Sequence, residues 1–164
     1  MNLSAGLAQV ARRSPENPAI LWKGGSLSYG GFEDQAARIA GALRDRHRLK
    51  PGARIGMAME NAPEFLPVLY GIWRAGMTAI PMNAKLHPRE MAWILENAQA
   101  PLCIASPKQA QGLGGLAGDS VVIETGSADY AALLAGEAVA KADSQPTDPA
   151  WIFYTSGTTG RPKG

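Results

Sequence analysis

The feature that most restricts the fold is a strand, helix, strand succession over residues 54–81. Residues 54–59 form a short apolar run. Phe65, Leu66, Leu69, Ile72 and Trp73 then share one helical face, Gly76 stops that helix, and residues 77–81 are apolar again. Two strands joined by a single helical crossover run parallel, and the crossover is right-handed. Asn61 followed by Glu64 predicts a capping box at the helix start. Pro67, which lacks a backbone N–H, is expected to bend or delay the helix.

The same alternation runs in both directions from there. Residues 19–22 and 27–29 flank Lys23, Gly24, Gly25 and Ser26, which reads as a hairpin with a glycine turn. Phe32, Ala36, Ile39, Ala40 and Leu43 lie on one face of a second helix. A helix over Pro88–Asn97 opens with proline in its first turn. Strands at 101–105 and 120–124 follow, then a helix over Ala128–Leu134 and a connector over 136–149 that is poor in large apolar residues. Residues 151–153 with Tyr154 predict a last strand, apolar on both faces as inside a covered parallel sheet. At the N-terminus, Leu3, Leu7 and Val10 recur at helical spacing, and Ser14–Pro15 and Asn17–Pro18 end that helix. The expected fold class is therefore α/β, a mainly parallel sheet of about five strands with helices on both faces. The 164 residues suit one domain, residues 1–164.

Composition excludes several functions. A net charge of +2 with 18% charged residues fits neither a disordered tail nor a strongly basic nucleic-acid binder. No apolar run reaches the roughly 20 residues of a bilayer span, so no transmembrane segment is expected. The single Cys103 cannot form an internal disulfide, and a reducing, cytoplasmic location is expected. With only His47 and His87 beside it, no metal site is expected.

Most chemistry-bearing residues have plain structural readings. Residues 112–117 match G-x-G-x-x-A, but a polar stretch precedes them and a strand follows, the reverse of the dinucleotide fingerprint. They read as a glycine loop. No G-x-S-x-G elbow surrounds Ser26 or Ser28, so a hydrolase triad has no nucleophile. His47, among Arg46, Arg48 and Lys50, reads as a solvated helix end, and His87 as a loop residue at a helix start. Cys103, between Leu102 and Ile104, reads as a buried small hydrophobe. No catalytic residue is assigned.

Residues 154–164 differ: Tyr154, Thr155, Ser156, Gly157, Thr158, Thr159, Gly160, Arg161, Pro162, Lys163 and Gly164 follow an apolar strand. Glycines let successive N–H groups line a concave anion nest. The hydroxyls add donors, Lys163 adds a point charge suited to polyphosphate, and Pro162 stiffens the approach. The pattern is not the P-loop G-x-x-x-x-G-K-[ST]: Gly157 and Gly160 are too close, and Gly164 stands where the metal-binding hydroxyl is required.

Residues 155–164 closely resemble the phosphate-binding signature of the adenylate-forming (AMP-binding) superfamily, especially acyl-CoA synthetases. Ser28–Tyr29 with the following helix, Trp73, Arg74, Ala75, Gly76 and Met77 with Pro81, Met82 and Asn83, and residues 86–97 are similar to further family segments. The resemblance covers the whole chain. It implies the N-terminal part of the family's large domain, ending in the phosphate-binding loop 154–164. It implies activation of a small-molecule carboxylic acid by ATP and Mg2+ to an acyl-adenylate and pyrophosphate, then thioester formation with CoA, as in fatty acid metabolism. Thr155, Ser156, Gly157, Thr158, Thr159, Gly160 and Lys163 match the loop that holds the β- and γ-phosphates. An amino-acid-activating adenylation domain and a non-catalytic nucleotide- or anion-binding module are the alternatives.

Family enzymes are several times longer, so the chain is expected to be an N-terminal piece lacking the adenine, magnesium and acyl sites. Ordering residues 156–164 costs roughly 9–18 kcal/mol of backbone entropy. Charge-assisted bonds of about 1.5–3 kcal/mol each barely offset that. The piece alone is expected to bind ATP at millimolar strength or worse and to be inactive. The apolar strand 151–154, with one edge unpartnered, is expected to favour self-association.

Overall fold

The structure, a computed structural model, describes residues 2–156 and 162–164. Its centre is a four-stranded parallel sheet in the order β4-β3-β5-β6, made of β3 (Arg54–Ala58), β4 (Thr78–Pro81), β5 (Leu102–Ala105) and β6 (Val121–Glu124). An antiparallel hairpin precedes it, β1 (Pro18–Trp22) with β2 (Gly25–Ser28). Among the described residues six α-helices accompany these strands: α1 (Ala5–Arg13), α2 (Tyr29–Gly41), α3 (Phe65–Arg74), α4 (Pro88–Asn97), α5 (Pro107–Leu113) and α6 (Ala128–Leu134). A π-helical turn, Ala42–Arg46, extends α2.

Strand alternation divides the core in two. Ile55, Met57, Ala79, Leu102, Ile104 and Ile123 face α2, α3 and α6. Ala58, Ile80, Cys103 and Ala105 face α4 and α5 with Ile94, Leu95 and Leu113. With both faces covered, the strands are apolar throughout, as parallel strands are. The α4 side packs closely: a Cβ at Gly56 would collide with Leu95 and crowd Cys103. Among the described residues, no helix is long and apolar enough to cross a membrane.

Several helix ends follow local chemistry. Ser28 caps α2 by accepting from Gly31 N–H at 3.2 Å, and Ser127 caps α6 by accepting from Tyr130 N–H at 3.2 Å. His87 caps α4 in a capping box, its ring accepting from Arg89 N–H while its own N–H donates to Glu90. Gly76, at φ +74°, ends α3, with Met77 N–H donating to Ile72 O and Gly76 N–H to Trp73 O.

Five expectations are corrected, four in the elements and one at His47. Asn61 does not cap α3; the helix starts at Phe65 behind Glu64, which makes no side-chain cap bond. A start at Asn61 would set Pro67 inside the helix, where its ring meets the carbonyl four residues back; the later start leaves Pro67 in the first turn, where no donor is missed. Pro67 thus delays the helix. Second, residues 112–117 are not loop throughout: Gly112 and Leu113 close α5, which opens with Pro107 in its first turn. Third, of Leu3, Leu7 and Val10 only Leu7 is buried, while Leu3 and Val10 are exposed.

Fourth, residues 151–154 are not a fifth full strand. The segment pairs parallel to β4 at one position, Ala79 with Trp151, through Ala79 N–H donating to Ala150 O and Ile152 N–H to Ala79 O. It is covered on one face only. Ile152 and Tyr154 pack with the α4-side core, whereas Trp151 and Phe153 are 44% and 56% exposed.

His47 ends the π-helical turn, half-buried rather than solvated, with its Nε2 lacking a partner. Burial, helped by Arg46, holds its pKa below the usual 6.5, against the opposing pull of Asp129. The folded chain then resists a proton that the unfolded chain accepts, so this contribution to stability is present above pH 6.5 and lost as pH falls below it. Melting temperatures should drop more between pH 7.5 and 5 for the parent chain than for His47→Gln. An equal drop would show that His47 takes no part.

Candidate functional site

The terminal signature follows the segment that bridges to β4. After the single bridge at Trp151, alternation puts Ile152 and Tyr154 toward α4. The Tyr154 hydroxyl donates to Asn97 Oδ1 at 2.7 Å, and its ring stands edge-on to Trp93 at 6.1 Å. Burial raises the Tyr154 pKa, with Arg54 pulling the other way, so the hydroxyl stays a donor at neutral pH.

Directly after Tyr154 comes a short antiparallel ribbon, β7 (Thr155–Ser156) with β8 (Pro162–Lys163). Its register pairs Thr155 with Lys163 and Ser156 with Pro162. Residues directly opposite in such a ribbon project from the same face, with Cβ atoms about 4.5–5.5 Å apart. The Thr155 hydroxyl and the Lys163 ammonium therefore share a face, and both residues are exposed. Gly157, Thr158, Thr159 and Gly160 lie outside the described residues, as does Arg161.

The sequence separates Thr155 from Lys163 by seven residues, yet the fold makes them neighbours. A hydroxyl donor beside an ammonium with three donors suits the oxygens of a polyphosphate. It does not suit a divalent cation. Among the described residues no three His, Cys, Asp or Glu side chains stand together to hold a metal ion.

The other candidate residues lie elsewhere. His87 is occupied as a cap. Cys103 is fully buried and its thiol is pushed up to about 12 by burial, which removes it as a nucleophile. Leu116, Ala117 and Gly118 line an open groove with Trp93 and Glu96, on no phosphate-binding turn.

Sequence reasoning missed three polar networks that hold this architecture. Asn2 is buried, its Nδ2 donating to Trp73 O, Ala142 O and Ser144 Oγ, while its Oδ1 accepts from Ser4. Arg74 pairs with Glu33 at 2.5 Å. Gln109 donates to Ala84 O, and Ser106 Oγ accepts from Glu60 N–H. The one hint in the sequence was a cation, Arg74, in the last turn of α3, where the helix dipole favours it.

Comparison with known proteins agrees with this architecture. Residues 7–164 match the AMP-binding enzyme family. Feruloyl-CoA synthase of an Amycolatopsis species is 31% identical over 160 residues, covering 94% of this chain and 30% of the relative. A Mycobacterium tuberculosis fatty acyl CoA synthetase superposes with a TM-score of 0.86 at 25% identity, covering 99% of this chain and 34% of that one. The nonribosomal peptide synthetase FmoA3 superposes with a TM-score of 0.83 at 29% identity, covering 95% and 16%. The chain spans less than a third of the length of the curated relatives it matches. With a family match from residue 7 to residue 164, on a parallel sheet that superposes this closely, the chain belongs to the AMP-binding enzyme family of adenylate-forming ligases.

Proposed function

We propose that the chain is the N-terminal part of an ATP-dependent acid–thiol ligase, with Thr155, Ser156, Gly157, Thr158, Thr159, Gly160 and Lys163 holding the β- and γ-phosphates of ATP. The observation that carries the proposal is the pairing of Thr155 with Lys163 at the neck of the hairpin, which brings a hydroxyl and a cation to one face. A carboxylate oxygen of the acid attacks the α-phosphorus, the bond to the bridging oxygen breaks, and pyrophosphate leaves with that electron pair. The Lys163 charge and the loop donors stabilise the growing negative charge on the departing oxygens. The CoA thiol then displaces AMP from the acyl-adenylate. Mg2+, when bound to the ATP, would share the phosphate charge. The reading places the protein in the cytoplasm, with a carboxylic acid, ATP and CoA as its partners.

Feruloyl-CoA synthase and the fatty acyl CoA synthetase support the thioester branch. The likeness to FmoA3 supports a second reading, an amino-acid-activating adenylation domain that feeds a carrier instead of CoA. Exchange of labelled pyrophosphate into ATP, run on the whole protein with aryl, fatty, short-chain and amino acids, separates them. Exchange driven by a non-amino acid, followed by a CoA thioester, is expected. Exchange with an amino acid and no thioester would favour the second reading. No exchange with any acid would reduce the site to a non-catalytic anion-binding module.

A further inference from the structure

A ribbon as short as β7–β8 needs support from outside. Its register comprises two residue pairs, and a two-stranded ribbon is marginal in water on its own. Register also matters chemically: a slip of one residue turns Lys163 to the opposite face from Thr155. The structure shows what holds it. Tyr154 directly precedes β7, and its hydroxyl is tied to Asn97, the last residue of α4. Its ring meets Trp93 of the same helix. The residue just after β8, Gly164, lies against that ring: a Cβ on Gly164 would stand 2.8 Å from Tyr154 Cε2 and Cζ and 3.0 Å from Ile152 Cγ2. One side chain therefore touches the beginning of the ribbon, its end and α4.

We propose that Tyr154 is the positioning residue of the hairpin, its hydroxyl anchoring the outgoing strand to Asn97 and its ring seating the returning strand through Gly164, so that Lys163 is held beside Thr155. The consequence for ATP rests on the phosphate reading above; the consequence for register does not. Gly164 is part of the device because any larger residue pushes the returning strand off the ring. Asn97 supplies only an acceptor, which a carboxylate can replace.

The test uses the whole protein and two readouts. Amide hydrogen exchange at Thr155 and Lys163 is measured without ligand, and Mg-ATP is titrated by NMR. Tyr154→Phe keeps the ring and loses the hydroxyl, and Asn97→Leu loses the acceptor. Each should speed exchange at Thr155 and Lys163 about five- to tenfold and weaken Mg-ATP by a similar factor, the worth of one net hydrogen bond. Gly164→Ala should weaken Mg-ATP by about tenfold or more, and Asn97→Asp should stay within about twofold of the parent. Exchange in β3 and β5 should not change, which separates positioning from loss of fold. Unchanged exchange at Thr155 and Lys163 in both Tyr154→Phe and Gly164→Ala would overturn the inference. Faster exchange in those variants, with Lys163→Ala binding Mg-ATP as the parent does, would uphold the register role and overturn the phosphate reading instead.

Discussion

Replacing Arg74 with alanine is expected to lower the unfolding free energy by about 3–5 kcal/mol. The Arg74 side chain is 12% exposed and its partner Glu33 20%, so their charges lie largely out of water. The guanidinium gives Nη1 to Glu33 Oε1 and Nε to the Val139 carbonyl at 2.7 Å, and the Arg74 carbonyl accepts from Ala142 N–H. One residue thus joins α2, α3 and the connector after α6. Alanine leaves the Glu33 carboxylate without its cation, and the other oxygen of that carboxylate already lacks a partner. A desolvated, uncompensated charge accounts for the size of the loss. Replacing both members with apolar residues, Glu33→Leu with Arg74→Met, should cost far less, because no charge stays behind. Urea denaturation with an unchanged slope measures both variants. A loss below about 1 kcal/mol for Arg74→Ala would place the pair among ordinary surface ion pairs.

Lys163→Ala should act in the opposite manner, sparing the fold and damaging the chemistry. Lys163 is exposed at the hairpin neck, and surface truncations away from special contacts stay within about 0.5 kcal/mol. On the phosphate-binding role proposed for it, removing the Lys163 charge from the whole protein should reduce kcat/KM for ATP by about 10²–10³. The KM for the acid should hold, since only phosphate contacts are lost. Lys163→Arg should recover part of the rate, because the charge returns with a different donor geometry. Equal losses toward ATP and acid, or a lowered melting temperature, would assign Lys163 to the fold instead.

The two residues mark how far the sequence could be read. Lys163 stands out in the sequence because its pattern is local: a cation after glycines and hydroxyls suits phosphate chemistry, the role proposed for it. The same holds for the glycine that ends α3 and for the burial of Cys103 within β5. Apolar periodicity likewise located β3, α3 and β4, because one crossover helix admits only parallel neighbours.

Other features depended on what each residue meets across the fold. Nothing near Arg74 names Glu33, 41 residues away, and nothing near Asn2 names Trp73, 71 residues away. Pro67 decided where α3 begins, over the local claim of Asn61, because a steric clash outweighs a cap bond. Periodicity was silent on the order β4-β3-β5-β6 and on the single bridge that leaves Trp151 and Phe153 exposed. Helix faces and the glycine stop of α3 are set by atoms a few residues apart, so the chain alone specifies them. Strand order, buried charge pairing and the seat of the hairpin on Tyr154 arise when distant segments exclude water from one another, and packing of the whole chain selects them.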